Sequence, residues 1–183
     1  RVPSQAELAQ VLPFIDDSLI EIDGNRVRIA KGQEIVTGSF IKAYAVDRLL
    51  EKMREMNITD AIVNAGGSTM AAINNPDHPA WQVAVDVPGT DDPLFVADVA
   101  SSVYSTSAQG DSFVEIGGKR YGHILNPQTG YPSPNKMVGV VTESAMLGDM
   151  VSTGLFNESP AGFLEKIRLL QKDFPIEGFL MDE

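Results

Sequence analysis

Residues 112–124, Ser-Phe-Val-Glu-Ile-Gly-Gly-Lys-Arg-Tyr-Gly-His-Ile, leave the chain few ways to fold. Two runs that alternate apolar and polar residues flank Gly117 and Gly118. Paired glycines take the positive φ angles of a two-residue hairpin turn without steric penalty. Such a turn sets the register, with Glu115 opposite Arg120, Val114 opposite Tyr121 and Ser112 opposite His123. Strand side chains alternate, so His123 shares a face with Tyr121, Val114 and Ile116. The spacing predicts a histidine at the rim of a partly apolar sheet face.

The rest of the chain reads as helices interspersed with strands. Ser4 and Glu7 form a capping-box pattern at the start of a helix that Pro13 limits. Residues 18–32 alternate around Asp-Gly-Asn, a second hairpin. The longest helix is expected from about Ser39 to Met56, with Val46, Leu49, Leu50 and Met53 as its apolar stripe. A short strand, 61–63, runs into Asn64 and paired glycines. Further strands are expected at 81–86, 94–98 and 102–106. Residues 137–144 read as a strand and a helix cap, Thr142 or Ser144, for a helix ending near Phe156. A helix from about Pro160 to Lys172 and a last strand in 176–183 follow. Hairpin-linked strands among helices predict an α+β fold with a mixed, largely antiparallel sheet packed with helices.

Size and charge exclude several functions. At 183 residues the chain suits one domain with a real core. Asp plus Glu is 25 and Lys plus Arg is 14, a formal net charge of −11. That argues against nucleic acid as a partner, because such binding needs a basic face to replace counterions. An anionic ligand would need local help from a metal ion, a helix N-terminus or a few placed cations. With no cysteine, disulfides, thiolate zinc sites and cysteine nucleophiles are excluded. No apolar run approaches the roughly 20 residues that span a bilayer. The N-terminus lacks the apolar stretch of a secretory signal.

Several short motifs carry chemistry. Asp149 and Thr153 lie four apart on an expected helix, so two oxygens share a face. They suit a hard cation such as Mg²⁺, or they form a plain polar face with Thr153 bonded to the backbone. Gly66 and Gly67 follow a strand and either let a ligand approach the backbone or make a tight turn. Residues 104–112 cluster hydroxyls, with Thr106 and Ser107 near the strand end. Lys42, near a helix start, either attracts an anion or is merely solvated. His123 is a candidate general base, since a free imidazole titrates near about 6.5. His78, in a proline-rich loop, has no evident partner.

The order of these motifs is more specific than any one of them. Residues 42–68, then 104–132, then Gly-Asp-Met-Val-Ser-Thr-Gly-Leu-Phe at 148–156, resemble the ApbE family of FAD:protein FMN transferases. The resemblance covers nearly the whole chain. Its most specific block is the hairpin followed by Gly-His-Ile-Leu-Asn-Pro-Gln-Thr-Gly-Tyr-Pro. The resemblance implies binding of FAD with Mg²⁺ against the pyrophosphate. It implies transfer of FMN to a Thr or Ser hydroxyl of an acceptor protein, with release of AMP. Some members instead hydrolyse FAD to FMN and AMP. The implied metal ligands are Ser39, through its carbonyl, Asp149 and Thr153. His123 and Lys42 are the implied catalytic residues. Gly66, Gly67, Thr106, Ser107, His123 and Thr129 match the motifs that line the flavin nucleotide site. Members are bacterial and commonly periplasmic or membrane-anchored.

The departures from the family pattern have physical content. Val36 stands where an acidic residue is usual, Ile41 replaces an alanine and Ala43 a glycine. Ile41 and Ala43 are expected to add bulk where backbone approaches the ligand. Ser68 replaces the aspartate of Asn-Ala-Gly-Gly-Asp. Family members are also longer, with an N-terminal portion ahead of the point where this chain starts. The expectation is one ApbE-like domain, residues 1–183, corresponding to the C-terminal portion of the family domain. Exposed edges would then favour self-association. A relative that binds FAD without turnover, or serves only a structural role, is the alternative.

Overall fold

Alternating buried positions build the centre of the molecule. The computed structural model describes residues 1–90, 92–110 and 112–182. Its elements in chain order are α1 (Gln5–Val11), β1 (Glu21–Asp23), β2 (Arg26–Arg28), α2 (Ile41–Glu55), β3 (Ala61–Asn64), β4 (Thr69–Ile73), β5 (Trp81–Asp86) and β6 (Pro93–Val99). Then come β7 (Val103–Ala108), β8 (Phe113–Ile116), β9 (Lys119–Gly122), β10 (Met137–Thr142), α3 (Ala145–Gly154), α4 (Pro160–Leu170) and β11 (Ile176–Met181). Five strands form one sheet in the order β11-β10-β7-β4-β3. β1–β2, β5–β6 and β8–β9 are separate two-stranded ribbons. The largely antiparallel α+β arrangement expected from the sequence is present, and every ladder among the described strands is antiparallel.

The pleat sends successive side chains to opposite faces. On one face Ala71, Ile73 and Val103 meet Val46 and Leu50 of α2. On the same side Val138 and Val140 meet Val151, Phe156 and Phe163 of the α3–α4 region. On the other face Ala72, Tyr104 and Met137 pack on Val83, Val85 and Val99 of the β5–β6 ribbon. The sheet is thus a middle layer between helices and a ribbon.

Local signals start the helices. Ser4 and Glu7 make the full capping box of α1. Ser144, not Thr142, caps α3 and accepts from Leu147 N at 3.3 Å. The Thr142 hydroxyl instead donates to the Ser144 carbonyl at 2.7 Å. Gly148 lets α3 sit close on the sheet, since a Cβ there would lie 2.5 Å from Ser105 Oγ and 2.8 Å from Ser105 Cβ. That close approach aims the next residue, Asp149, at β4.

The structure departs from the sequence reading in three places. β4 carries no strand signal of its own, because Thr-Met-Ala-Ala-Ile is alanine-rich and does not alternate. Its place comes from pairing with β3 and β7. In α2 the buried residues are Ala43, Val46 and Leu50, whereas Leu49 is 44% exposed. The β8–β9 register is as expected, with Val114 opposite Tyr121 and Glu115 opposite Arg120. The ribbon does not join the main sheet, however, and Val114 is 62% exposed. His123 therefore lies just past β9, beside a solvent-facing ribbon, not at the rim of a packed sheet. Asp111, within the hydroxyl-rich stretch, and Glu183, at the end of the last expected strand, lie outside the described residues.

Candidate functional site

A cleft of about 990 Å³ opens where several chain segments converge. The β3–β4 turn supplies Gly66 and Gly67, the turn ahead of α2 supplies Ser39, and the first turn of α2 supplies Lys42. The end of β7 supplies Thr106 and Ser107, α3 supplies Asp149 and Thr153, and the exit from β9 supplies His123. The β5–β6 connection, Asp86 to Thr90, forms another wall. A shift in register between Val85 and Asp86 bends the strand there, as bulges beside binding sites do.

Asp149 is the electrostatic centre. Only 8% of the residue is exposed. Thr69 Oγ1 donates to its carboxylate, 2.9 Å from Oδ1 and 3.2 Å from Oδ2. Lys42 Nζ lies 3.9 Å from Asp149 Oδ2 and donates to Ser68 Oγ. One turn along α3, Thr153 Oγ1 lies 3.1 Å from Ser107 Oγ, which also contacts Ser152 Oγ at 3.0 Å. Asp149 and Thr153 are hard oxygen donors on one helix face, the chemistry that suits a hard divalent cation completed by water.

The β3–β4 turn is both a tight turn and a cleft wall. Gly66 and Gly67 have φ of +70° and +76°. Asn64 Oδ1 accepts from Gly67 N at 2.8 Å and holds the turn closed. The Thr106 hydroxyl is engaged with the Val138 carbonyl at 3.3 Å. His123 Nδ1 lies 3.1 Å from the Ser112 carbonyl oxygen. A carbonyl only accepts, so Nδ1 carries the hydrogen and a neutral ring keeps its lone pair on Nε2.

Comparison with known proteins bears directly on this constellation. The ApbE family model matches residues 1–175. The chain belongs to the ApbE family. The FAD:protein FMN transferase of Haemophilus influenzae is 27% identical over 164 residues, which are 84% of this chain and 47% of that protein. The Escherichia coli K12 protein of the same name is 30% identical over 131 residues, covering 69% of this chain and 37% of that protein. The crystal structure of the ApbE protein from Thermotoga maritima superposes with a TM-score of 0.84 at 26% identity. That match covers 98% of this chain and 60% of that one. The chain spans less than half the length of these two curated relatives. No helix among the described residues is long and apolar enough to cross a membrane.

Within this ApbE-family cleft the family-pattern departures fall in different places. Val36 lines the cleft. Ile41 and Ala43 are not among its lining residues, contrary to the expectation of added bulk. Ile41 points to solvent, and Ala43 is wholly buried in the cluster that joins α2 to Ala71, Val103 and Ala145. Ser68 lines the cleft as the partner of Lys42.

Thr129 is not brought to the cleft lining. Its Oγ1 accepts from Tyr131 N at 3.3 Å. It sits in a loop shaped by Asn126, whose Oδ1 accepts from Gln128 N at 2.8 Å. His78 has a partner after all: its Nδ1 lies 2.9 Å from Asp60, which also accepts from Trp81 Nε1 at 3.0 Å.

Sequence reasoning missed Asp47. Its carboxylate accepts from Ser144 Oγ at 2.8 Å, Ala145 N at 2.7 Å and Met146 N at 3.0 Å. It therefore caps α3 from α2 and ties the helix carrying Asp149 to the helix carrying Lys42. The available signal was an acid within the buried stripe of Ala43, Val46 and Leu50. Tyr104, on the cleft floor, was missed too. Burial pushes its phenol up to about 12. Its hydroxyl has no hydrogen-bond partner among the described residues.

Proposed function

We propose that residues 1–183 act as one ApbE-like domain that transfers FMN from FAD to a Thr or Ser hydroxyl of an acceptor protein, with Mg²⁺, releasing AMP. The observation that supports this most is the single cleft in which Lys42, Ser107, His123, Asp149 and Thr153 meet. In a chain of net charge −11, that cleft offers a lysine and a cation-binding carboxylate to a pyrophosphate.

Asp149, Thr153 and the Ser39 carbonyl are the residues that would hold Mg²⁺. When bound, the ion supplies Lewis-acid polarisation of a phosphoryl oxygen. Lys42 places a positive charge where a phosphate oxygen gains negative charge. His123, with Nε2 unprotonated, takes the proton of the attacking hydroxyl. The hydroxyl oxygen bonds to the FMN phosphorus as the pyrophosphate P–O bond breaks, and AMP carries away the electron pair. Leu125 and Val36 give the cleft mouth apolar surface for a flat ring.

The test is incubation with FAD, Mg²⁺ and an acceptor protein, read by covalent flavin fluorescence and AMP release. Covalent flavin with matching AMP supports the transferase. Free FMN with AMP identifies water as the acceptor, that is, FAD pyrophosphatase activity. FAD binding without AMP release refutes turnover by this chain.

A further inference from the structure

Lys42 stands between two oxygen partners of different charge. Its ammonium donates to the neutral Ser68 hydroxyl and lies 3.9 Å from Asp149 Oδ2. The second separation is too long for a hydrogen bond. The ammonium is thus docked on Ser68 and leans on the carboxylate. The two charged groups differ in freedom, since the Lys42 side chain is 39% exposed and that of Asp149 only 11%. Thr69 holds both carboxylate oxygens. Of the two, the lysine is the less confined. Lys42 is also the one lysine or arginine among the described lining residues, and a carboxylate so buried requires a counter-charge.

Resting on the metal reading of Asp149 and Thr153 above, we propose that Ser68 is a positioning residue that holds Lys42 as an exchangeable counter-ion of Asp149. Without a divalent cation, the ammonium compensates the carboxylate. When a cation occupies Asp149, two positive charges compete for one carboxylate and the more mobile one yields. Lys42 then turns away with Ser68 as its acceptor, and its uncommitted charge faces a ligand phosphate. A carboxylate at position 68 would bind the ammonium by charge and prevent that release. A hydroxyl holds it by one neutral contact.

The experiment is titration calorimetry of the nucleotide-free chain with Mn²⁺ as the probe. Ser68→Ala changes no charge, so long-range electrostatics predict no effect. Exchange predicts that Lys42, deprived of its acceptor, settles on Asp149 and weakens Mn²⁺ binding about three-fold or more. Lys42→Met removes the competitor and tightens Mn²⁺ binding about five-fold, a gain that persists in about 0.5 M KCl because partly buried contacts are screened little. Lys52→Met, at the exposed far end of α2, leaves binding unchanged. Wild-type affinity in either Ser68→Ala or Lys42→Met overturns the exchange. Asp149→Asn separates the two ideas. If it binds Mn²⁺ as wild type does, the metal reading fails and the exchange falls with it. If it abolishes binding while the other variants match wild type, the exchange alone fails.

Discussion

Replacing Asp47 by alanine tests whether a single carboxylate on α2 positions α3. Three donors converge on it: Ser144 Oγ, Ala145 N and Met146 N, at 2.7–3.0 Å. The two amides belong to the first turn of α3, where the helix has no partner of its own for them. A hydrogen bond to a charged group contributes about 1.5–3 kcal/mol, and these three act on one group, so they do not add in full. Water reaches part of this site and recovers some of the loss. The expected destabilisation of Asp47→Ala is therefore about 3 kcal/mol, or about 6–12 °C in Tm for a chain of this size. Asp47→Asn keeps one acceptor oxygen but turns an amide donor toward the helix N–H groups, so it falls between the two. Urea unfolding followed by far-UV circular dichroism reads the effect as a lower midpoint at unchanged slope. A loss below about 0.5 kcal/mol for Asp47→Ala would refute the reasoning, because that is the range of an ordinary surface substitution.

Gly148→Ala should destabilise by about 1–3 kcal/mol in the same assay, since its Cβ would meet Ser105 Oγ at 2.5 Å. Ser105→Ala should be neutral or stabilising, because it removes a buried hydroxyl that lacks a partner among the described residues. Glu7 is held down to about 2 by Arg1 and by the Ser4 amide and hydroxyl. A depressed carboxylate contributes stability above its ordinary value of 4.5 and loses it as pH falls towards 2. NMR titration of Glu7 should show that low midpoint, and Ser4→Ala should raise it. Tyr104, pushed up to about 12, contributes stability that is full below its ordinary 10 and is lost as pH rises through 12. Ultraviolet titration should show one late-ionising tyrosine that Tyr104→Phe removes.

The sequence was most legible where structure is local. The Gly117-Gly118 turn and the alternation around it determine the β8–β9 register. The Ser4–Glu7 capping box likewise needs only its own turn of chain. The order of the motifs was also readable, and it pointed to the family and to most of the cleft. Less visible were features whose partners are far apart. β4 exists because β3 and β7 flank it, not because its own residues favour a strand. Asp47 looked like one more acid on a helix until α3 brought its N-terminus within reach.

By itself, then, the sequence determined the hairpin register, the capping box that starts α1, the α+β class and the family, since turn chemistry, capping and period-two burial act over a few residues. Only the tertiary structure decided which motif residues share a cleft. It joined Thr69 to Asp149 across 80 residues of chain. It left Ala43 in the core and Thr129 off the cleft wall. It put Lys42 between Ser68 and Asp149. Those outcomes depend on how closely α2 and α3 pack on the sheet, a distance set by Gly148, Asp47 and the buried apolar face together, and no short stretch of sequence contains it.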